Sequence, residues 1–253
     1  MPRRGIDSPP SRNSHRADAS KKRRRPWESR MNERPNNLST LRRRQAIFAL
    51  SALGVAPLAR AQPRSGRTTP SQTLGPFYPR NAGERPAQTD ADLLAFDGER
   101  LLSRGVALYL TGRVLDRRGG PLTQAEVEIW QCDANAVYHH PAGGAESERD
   151  PHFQGYGRAL TGADGSFHFR TIKPVAYPGR TPHIHVRIAP RDGGVLATQL
   201  YLPDEPGNAR DFLFRQLTRD EQAALTLALR STDSAHPLAR GTRVTASTEL
   251  LLA

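Results

Sequence analysis

The stretch Ala125-Glu126-Val127-Glu128-Ile129-Trp130-Gln131 puts Val127 and Ile129 on one side of the chain and Glu126, Glu128 and Trp130 on the other. A period of two belongs to a β-strand, whose successive side chains point to opposite faces. Working outward, the same character recurs in short pieces bounded by turn residues. Val106–Val114 alternates and runs into Asp116-Arg117-Arg118-Gly119-Gly120-Pro121, while Ser166–Thr171 follows Asp164-Gly165. His183–Ala189 precedes Asp192-Gly193-Gly194, and Val195–Leu202 closes the series. Short strands with turn signals and no helical pattern between them predict an all-β chain, a β-sandwich of mostly antiparallel strands with long loops. A short C-terminal helix is expected over Thr218–Leu229, because Thr218-Arg219-Asp220-Glu221 has the form of a capping box. A second, shorter helical turn is expected over Asp90–Phe96.

The formal charge of +12 points first to nucleic acid, but its distribution argues otherwise. Residues 1–61 hold 15 of the 37 Lys and Arg and 4 of the 25 Asp and Glu, so residues 62–253 are close to neutral. A nucleic-acid binder carries its basic patch on the folded domain, and none is expected here. Residues 1–30 are Arg-, Ser- and Pro-rich and read as a disordered basic extension, and Met31 offers an alternative start. Residues 31–61 read as a twin-arginine-type export signal: Arg42-Arg43-Arg44, an uncharged apolar run from Ala46 to Ala56, then Ala59-Arg60-Ala61 for cleavage. That apolar run is far shorter than the ~20 residues needed to span a bilayer, so no stable membrane anchor is expected. The mature protein is expected in the periplasm, with an extended arm over 62–105 and the sandwich domain over 106–253. Cys132 is the single cysteine, which leaves no disulfide and no cysteine-based metal site, and it reads as a small buried hydrophobe.

The chemistry is concentrated in Ile172-Lys173-Pro174-Val175-Ala176-Tyr177-Pro178-Gly179-Arg180-Thr181-Pro182-His183-Ile184-His185. In a strand His183 and His185 share a face and can reach one metal. The loop before them brings Tyr177 and Arg180 over that face and offers no carboxylate for the facial triad common in ferrous enzymes. A phenol titrates near pH 10, so it becomes a ligand at neutral pH only beside a strongly Lewis-acidic cation. Ferric iron is the natural candidate, with Tyr177 and Tyr138 as the candidate phenols. Tyr138 is followed by His139 and His140, expected on a solvated loop. Arg158 reads equally as an anchor for the site or as a surface residue, and Tyr78 as an entrance residue or a packing clasp.

The order Gly75-Pro76-Phe77-Tyr78-Pro79, Thr111-Gly112-Arg113-Val114, Gly120-Pro121-Leu122, Ala125 to Gln131 followed by Tyr138, Ile172-Lys173-Pro174 with Tyr177-Pro178, and Arg180-x-Pro182-His183-Ile184-His185 resembles the intradiol ring-cleavage dioxygenases. Within that family the likeness is strongest to iron-binding subunits acting on protocatechuate, and it runs from about Thr73 to Phe214. The resemblance implies a β-sandwich holding non-haem Fe(III) through Tyr138, Tyr177, His183 and His185. It makes Tyr177 and His185 the axial pair and Tyr138 and His183 equatorial. It further implies that Arg180 lies beside the substrate, that Gln199 lines the site, and that a catechol and O2 are converted to a cis,cis-muconate. Tyr177 would act as base towards the catechol, and Arg180 would stabilise developing negative charge. A homo-oligomer or a pairing with a sister subunit is expected.

Five residues separate Tyr177 from His183, fewer than in the best-known members, so substrate scope should depend on this chain's own loop. The segment Gly112-Arg113-Val114 to Ala125-Glu126-Val127 also resembles prealbumin-like binding modules, the non-catalytic alternative. A hydrolase or oxygenase using another divalent metal through the two histidines is a third reading.

Overall fold

The structure is a computed structural model that describes residues 67–81, 83–85, 89–97, 100–231, 241–242 and 244–253. The extension and export signal expected over residues 1–61 lie outside the described residues. The strands are β1 (Phe96–Asp97), β2 (Arg100–Leu101), β3 (Ala107–Leu115), β4 (Glu126–Trp130), β5 (Tyr156–Leu160), β6 (Ser166–Ile172), β7 (His183–Ala189), β8 (Leu196–Tyr201), β9 (Ala228–Ser231) and β10 (Val244–Leu251), with helix α1 (Arg219–Leu225) before β9. Two four-stranded sheets, in the orders β6-β3-β10-β9 and β5-β4-β7-β8, form the sandwich. β10 runs parallel to β3, and the other neighbouring pairs are antiparallel. This is the expected all-β sandwich with a short late helix.

Alternation explains the core. Val127 and Ile129 of β4 and Ile184, Val186 and Ile188 of β7 form one buried cluster with Leu108 and Leu110 of β3 and Phe167 and Phe169 of β6. Burial of such side chains is worth roughly 1.5–3 kcal/mol each, so this shared face is the main stabilising contact between the sheets.

Three local expectations need correction. The helix stops at Leu225, not Leu229, although its capping box is present with Thr218 and Glu221. Leu225, Leu227 and Leu229 recur every second residue, which is strand spacing, and the chain turns extended to enter β9. Asp90–Phe96 is not helical. It makes isolated bridges from Asp92 to Arg170 and from Leu94 to Phe153, and the Asp92 carboxylate accepts from the Arg170 guanidinium. Finally, β1, β2, β5, β9 and β10 are strands where none was expected. In β5 this follows from Gly157: a Cβ there would lie 2.5 Å from Leu93 Cδ1, so glycine lets the 90–95 segment cross close over the strand.

Candidate metal centre

The site lies on the face of the β5-β4-β7-β8 sheet turned away from the main core. Register aligns Tyr156, Trp130, His185 and Gln199 across the four strands, and His183 pairs with Tyr201 at the end of that face. His183 and His185 therefore share a side, as the alternation of β7 predicts. This face is covered, and the cover forms a second buried cluster. Leu74, Phe77 and Tyr78 come from the arm, Tyr138 from the loop after β4, and Val175 and Tyr177 from the loop before β7.

Each loop has a local reason for its shape. Asp133 accepts from the backbone N–H groups of Asn135 and Val137 at 2.9 and 3.0 Å, closing the tight turn that delivers Tyr138. The Arg180 N–H bonds the Tyr177 carbonyl at 2.9 Å, with Gly179 at φ 82° in the bend. The arm passes close above His185. Gly75 has φ 73°, and a Cβ there would sit 3.3 Å from His185 Cε1, so glycine meets both requirements.

Polar atoms converge on one point. His183 Nε2 lies 3.2 Å from His185 Nε2 and 3.5 Å from Tyr138 Oη, and Arg180 Nη1 is 3.4 Å from both His183 Nε2 and Tyr177 Oη. Both histidines are 2% exposed and Tyr138 is 4% exposed. His183 Nδ1 donates to the Thr181 carbonyl at 2.7 Å, which leaves Nε2 with its lone pair turned to the centre. His185 stacks on Trp130 at 4.7 Å and 8° between planes, which fixes its ring. Phe77 stacks on Tyr138 at 4.2 Å.

The electrostatics favour uncharged side chains, neutral imidazoles beside protonated phenols. Burial, then the Arg180 charge, pulls His183 down to about 4. Burial also holds His185 well below the usual imidazole range, with His183 and Arg180 adding to the effect. Burial pushes the Tyr138 phenol well above 10 and raises Tyr177 too, the latter opposed by Arg180. At neutral pH the imidazoles are uncharged, and the phenols keep their protons unless a Lewis acid binds beside them. Two nitrogen donors that share one cation at about 2.1 Å each must lie within about 4.2 Å of one another. The observed 3.2 Å separation of the two Nε2 atoms fits that requirement. Among the described residues no group of three or more His, Cys, Asp and Glu comes together to hold a metal, so a metal here depends on the tyrosines.

All six residues singled out from sequence are brought together. Arg180 bridges the set: Nη2 donates to Gln199 Oε1 at 2.5 Å, and Nε donates to Asp211 Oδ2 at 2.8 Å. Four others sit differently from expectation or choose between two expectations. Arg158 pairs with Glu126 at 3.1 Å on the exposed side, so it is a surface arginine. Tyr78 is a clasp, its hydroxyl donating to Glu128 at 3.0 Å. His140 is 9% exposed and His139 contacts Asp133 at 3.1 Å, so neither is freely solvated. Cys132 is buried as expected, and burial raises its thiol to about 12.

Sequence reasoning missed Asp211 and Glu128. Asp211 stands before Phe212-Leu213-Phe214 and reads as an ordinary turn residue. Glu128 sits at an alternate strand position that looks solvent-facing until the arm covers it.

A family model described as Dioxygenase matches residues 74–240. The β chain of protocatechuate 3,4-dioxygenase from Burkholderia cepacia is 37% identical over 145 residues, covering 53% of this chain and 61% of that protein. Hydroxyquinol 1,2-dioxygenase from a Rhizobium strain is 29% identical over 192 residues, covering 68% and 61%. The chain thus spans about three fifths of the length of these curated relatives. Among solved structures, the dioxygenase domain of a dioxygenase carbohydrate-binding fusion from Streptomyces sp. SirexAA-E is 34% identical with a TM-score of 0.53, over 74% of this chain and 98% of that one. An intradiol ring-cleavage dioxygenase from Tetranychus urticae, 20% identical with a TM-score of 0.54 over 73% of this chain and 94% of that one, shares the fold. With its sandwich and the match over residues 74–240, the chain belongs to the intradiol ring-cleavage dioxygenase family.

Proposed function

We propose that this chain uses non-haem Fe(III) and O2 to cleave a catechol, such as catechol or protocatechuate, between its two hydroxylated carbons, giving a cis,cis-muconate. The observation that carries the reading is the convergence of two phenols and two neutral imidazoles, with Tyr138 Oη and His185 Nε2 within 3.5 Å of His183 Nε2 and Tyr177 Oη joined to that nitrogen through Arg180 Nη1. Tyr138, Tyr177, His183 and His185 would hold the iron. When bound, ferric iron supplies the Lewis acidity that ionises buried phenols and activates a chelated catecholate.

The protein's own groups account for the rest. Tyr177 is half-buried and touched by the Arg180 guanidinium, so once ionised it is the phenolate placed to take a substrate proton at Oη. Arg180 directs a fixed positive charge at the same point, where negative charge grows as the ring is attacked. Gln199 holds Arg180 in place through Nη2. The Trp130, Phe77 and Leu74 side chains keep that face apolar and limit water.

The test is to produce the protein aerobically, assay iron, and record visible absorption before and after adding catechol. Phenolate bound to ferric iron absorbs strongly in the visible. About one iron per chain, a coloured protein and a change with catechol are the expected results. A protein that stays colourless after iron is supplied under air sinks the reading.

Export by a twin-arginine route, supported by Arg42-Arg43-Arg44 and Ala59-Arg60-Ala61, is part of the same proposal. Fractionation with N-terminal sequencing should find a periplasmic protein beginning at Gln62. A full-length protein confined to the cytoplasm would remove it. Assembly with identical or sister subunits is also proposed, in keeping with an α chain and a β chain of protocatechuate 3,4-dioxygenase among the relatives.

A further inference from the structure

We propose that Asp211 is the positioning residue for Arg180, a reading that rests on the role given to Arg180 above. The Asp211 carboxylate is fully buried against an Arg180 side chain that is 8% exposed. Its two oxygens have separate duties. Oδ1 accepts from the backbone N–H groups of Leu213 and Phe214 at 3.0 and 2.9 Å, closing the turn after it. That is an ordinary local use of an aspartate. Oδ2 is not needed for the turn. It accepts from Arg180 Nε at 2.8 Å and from the Thr181 backbone N–H at 2.9 Å, some 30 residues away in sequence.

The consequence for Arg180 follows from the planarity of its guanidinium. Asp211 fixes Nε and Gln199 fixes Nη2, so the fork has no remaining freedom about its long axis. Nη1 is then compelled to face Tyr177 Oη and His183 Nε2, at 3.4 Å each. The Phe212 ring, beside Asp211 in sequence, lies 5.5 Å from Arg180 Cζ and closes off the guanidinium on another side. Thr181, held by the same oxygen, presents the carbonyl that accepts the hydrogen bond from His183 Nδ1. One carboxylate therefore sets the direction of a cation and steadies the residue that fixes a ligand's tautomer. Burial alone would raise the Asp211 carboxyl, but the Phe214 and Thr181 N–H groups and the Arg180 guanidinium outweigh it and hold the group ionised.

A merely structural aspartate would destabilise the turn and nothing more. The discriminating experiment uses the full chain with Asp211→Asn, Asp211→Ala, Arg180→Ala and the double variant Arg180→Ala/Asp211→Ala. In the metal-free protein the Arg180 Nε–H should be visible by NMR as a slowly exchanging proton in the wild type. It should be lost in Asp211→Ala, and shifted or lost in Asp211→Asn, which retains an oxygen for the turn. In the iron-loaded protein kcat should fall by roughly 10–100-fold in either single Asp211 variant, the usual range for an outer residue that orients an inner one. KM should change much less, and the double variant should be no slower than Arg180→Ala alone. An unchanged Nε–H signal in Asp211→Asn, or losses from the two sites that multiply in the double variant, overturns the proposal. If the wild type holds no iron and cleaves no catechol, the proposed function fails, yet the metal-free NMR comparison still decides whether Asp211 holds Arg180.

Discussion

Tyr138→Phe should give a folded protein that has lost at least about 10³-fold in ring cleavage, together with iron binding or most of its visible colour. The substitution removes one oxygen and keeps the ring. That ring is 4% exposed and stacked on Phe77 at 4.2 Å, so the phenylalanine has a ready-made place. The hydroxyl lies 3.5 Å from His183 Nε2, a long contact, so stability should change by less than about 1.5 kcal/mol, as for other volume-conserving exchanges. A large loss of function with little loss of stability is the signature of a ligand. The expected loss exceeds the roughly 10–100-fold of residues that only support a metal site. Iron content, the absorption spectrum and kcat/KM, measured beside a urea titration, check the point. A variant with unchanged metal content, spectrum and rate would strip Tyr138 of its role and revive the non-catalytic sandwich module.

Glu128→Ala should be the most destabilising change on the same sheet face, by about 3–5 kcal/mol. Its carboxylate is fully buried and meets Arg187 Nη1 at 2.6 Å, Tyr78 Oη at 3.0 Å, the Tyr156 hydroxyl, and Arg85 Nη2 at 3.6 Å. Alanine leaves a cavity, two phenols without their acceptor, and Arg187 with the 3.9 Å contact to Glu126 as its one carboxylate partner among the described residues. Such a loss corresponds to a fall in Tm on the order of 10 °C for a domain of this size. The damage should reach the site, because Tyr78 packs on Trp130 at 4.9 Å and Trp130 stacks on His185. Urea unfolding of the metal-free variant measures the effect, and a loss below about 1 kcal/mol would mean that the network carries little of the fold.

Much of this was legible because the relevant period is short. The alternation in β4 and β7 fixed which side chains face the core and put His183 and His185 on one side, and the proline- and glycine-bounded loop placed Tyr177 and Arg180 near them. What stayed hidden depends on contacts between distant segments. Glu128 looks solvent-facing from its strand alone, and only the Tyr78 clasp reveals it as buried. Asp211 meets Arg180 across the fold, with no local pattern to announce it. β5 was missed because its glycine serves the segment crossing over it. β10 was missed because Thr245, Ser247 and Thr248 leave it few large apolar side chains, and its strand character comes from being bonded to β3 on one side and β9 on the other.

The position of β10 also orders events during synthesis. β3 is made early, yet its parallel neighbour is the last strand described, and Thr69 is tied by two hydrogen bonds to Leu251. A nascent chain cannot form the middle of that sheet, or seat the start of the arm, until translation has passed Leu251. Pairings this distant in sequence are entropically costly and form slowly. The arm that roofs His185 thus leaves the ribosome long before β10 and cannot be fully seated until β10 is made. On the twin-arginine route proposed above, which carries proteins already folded, passage across the membrane would have to wait for that closing step.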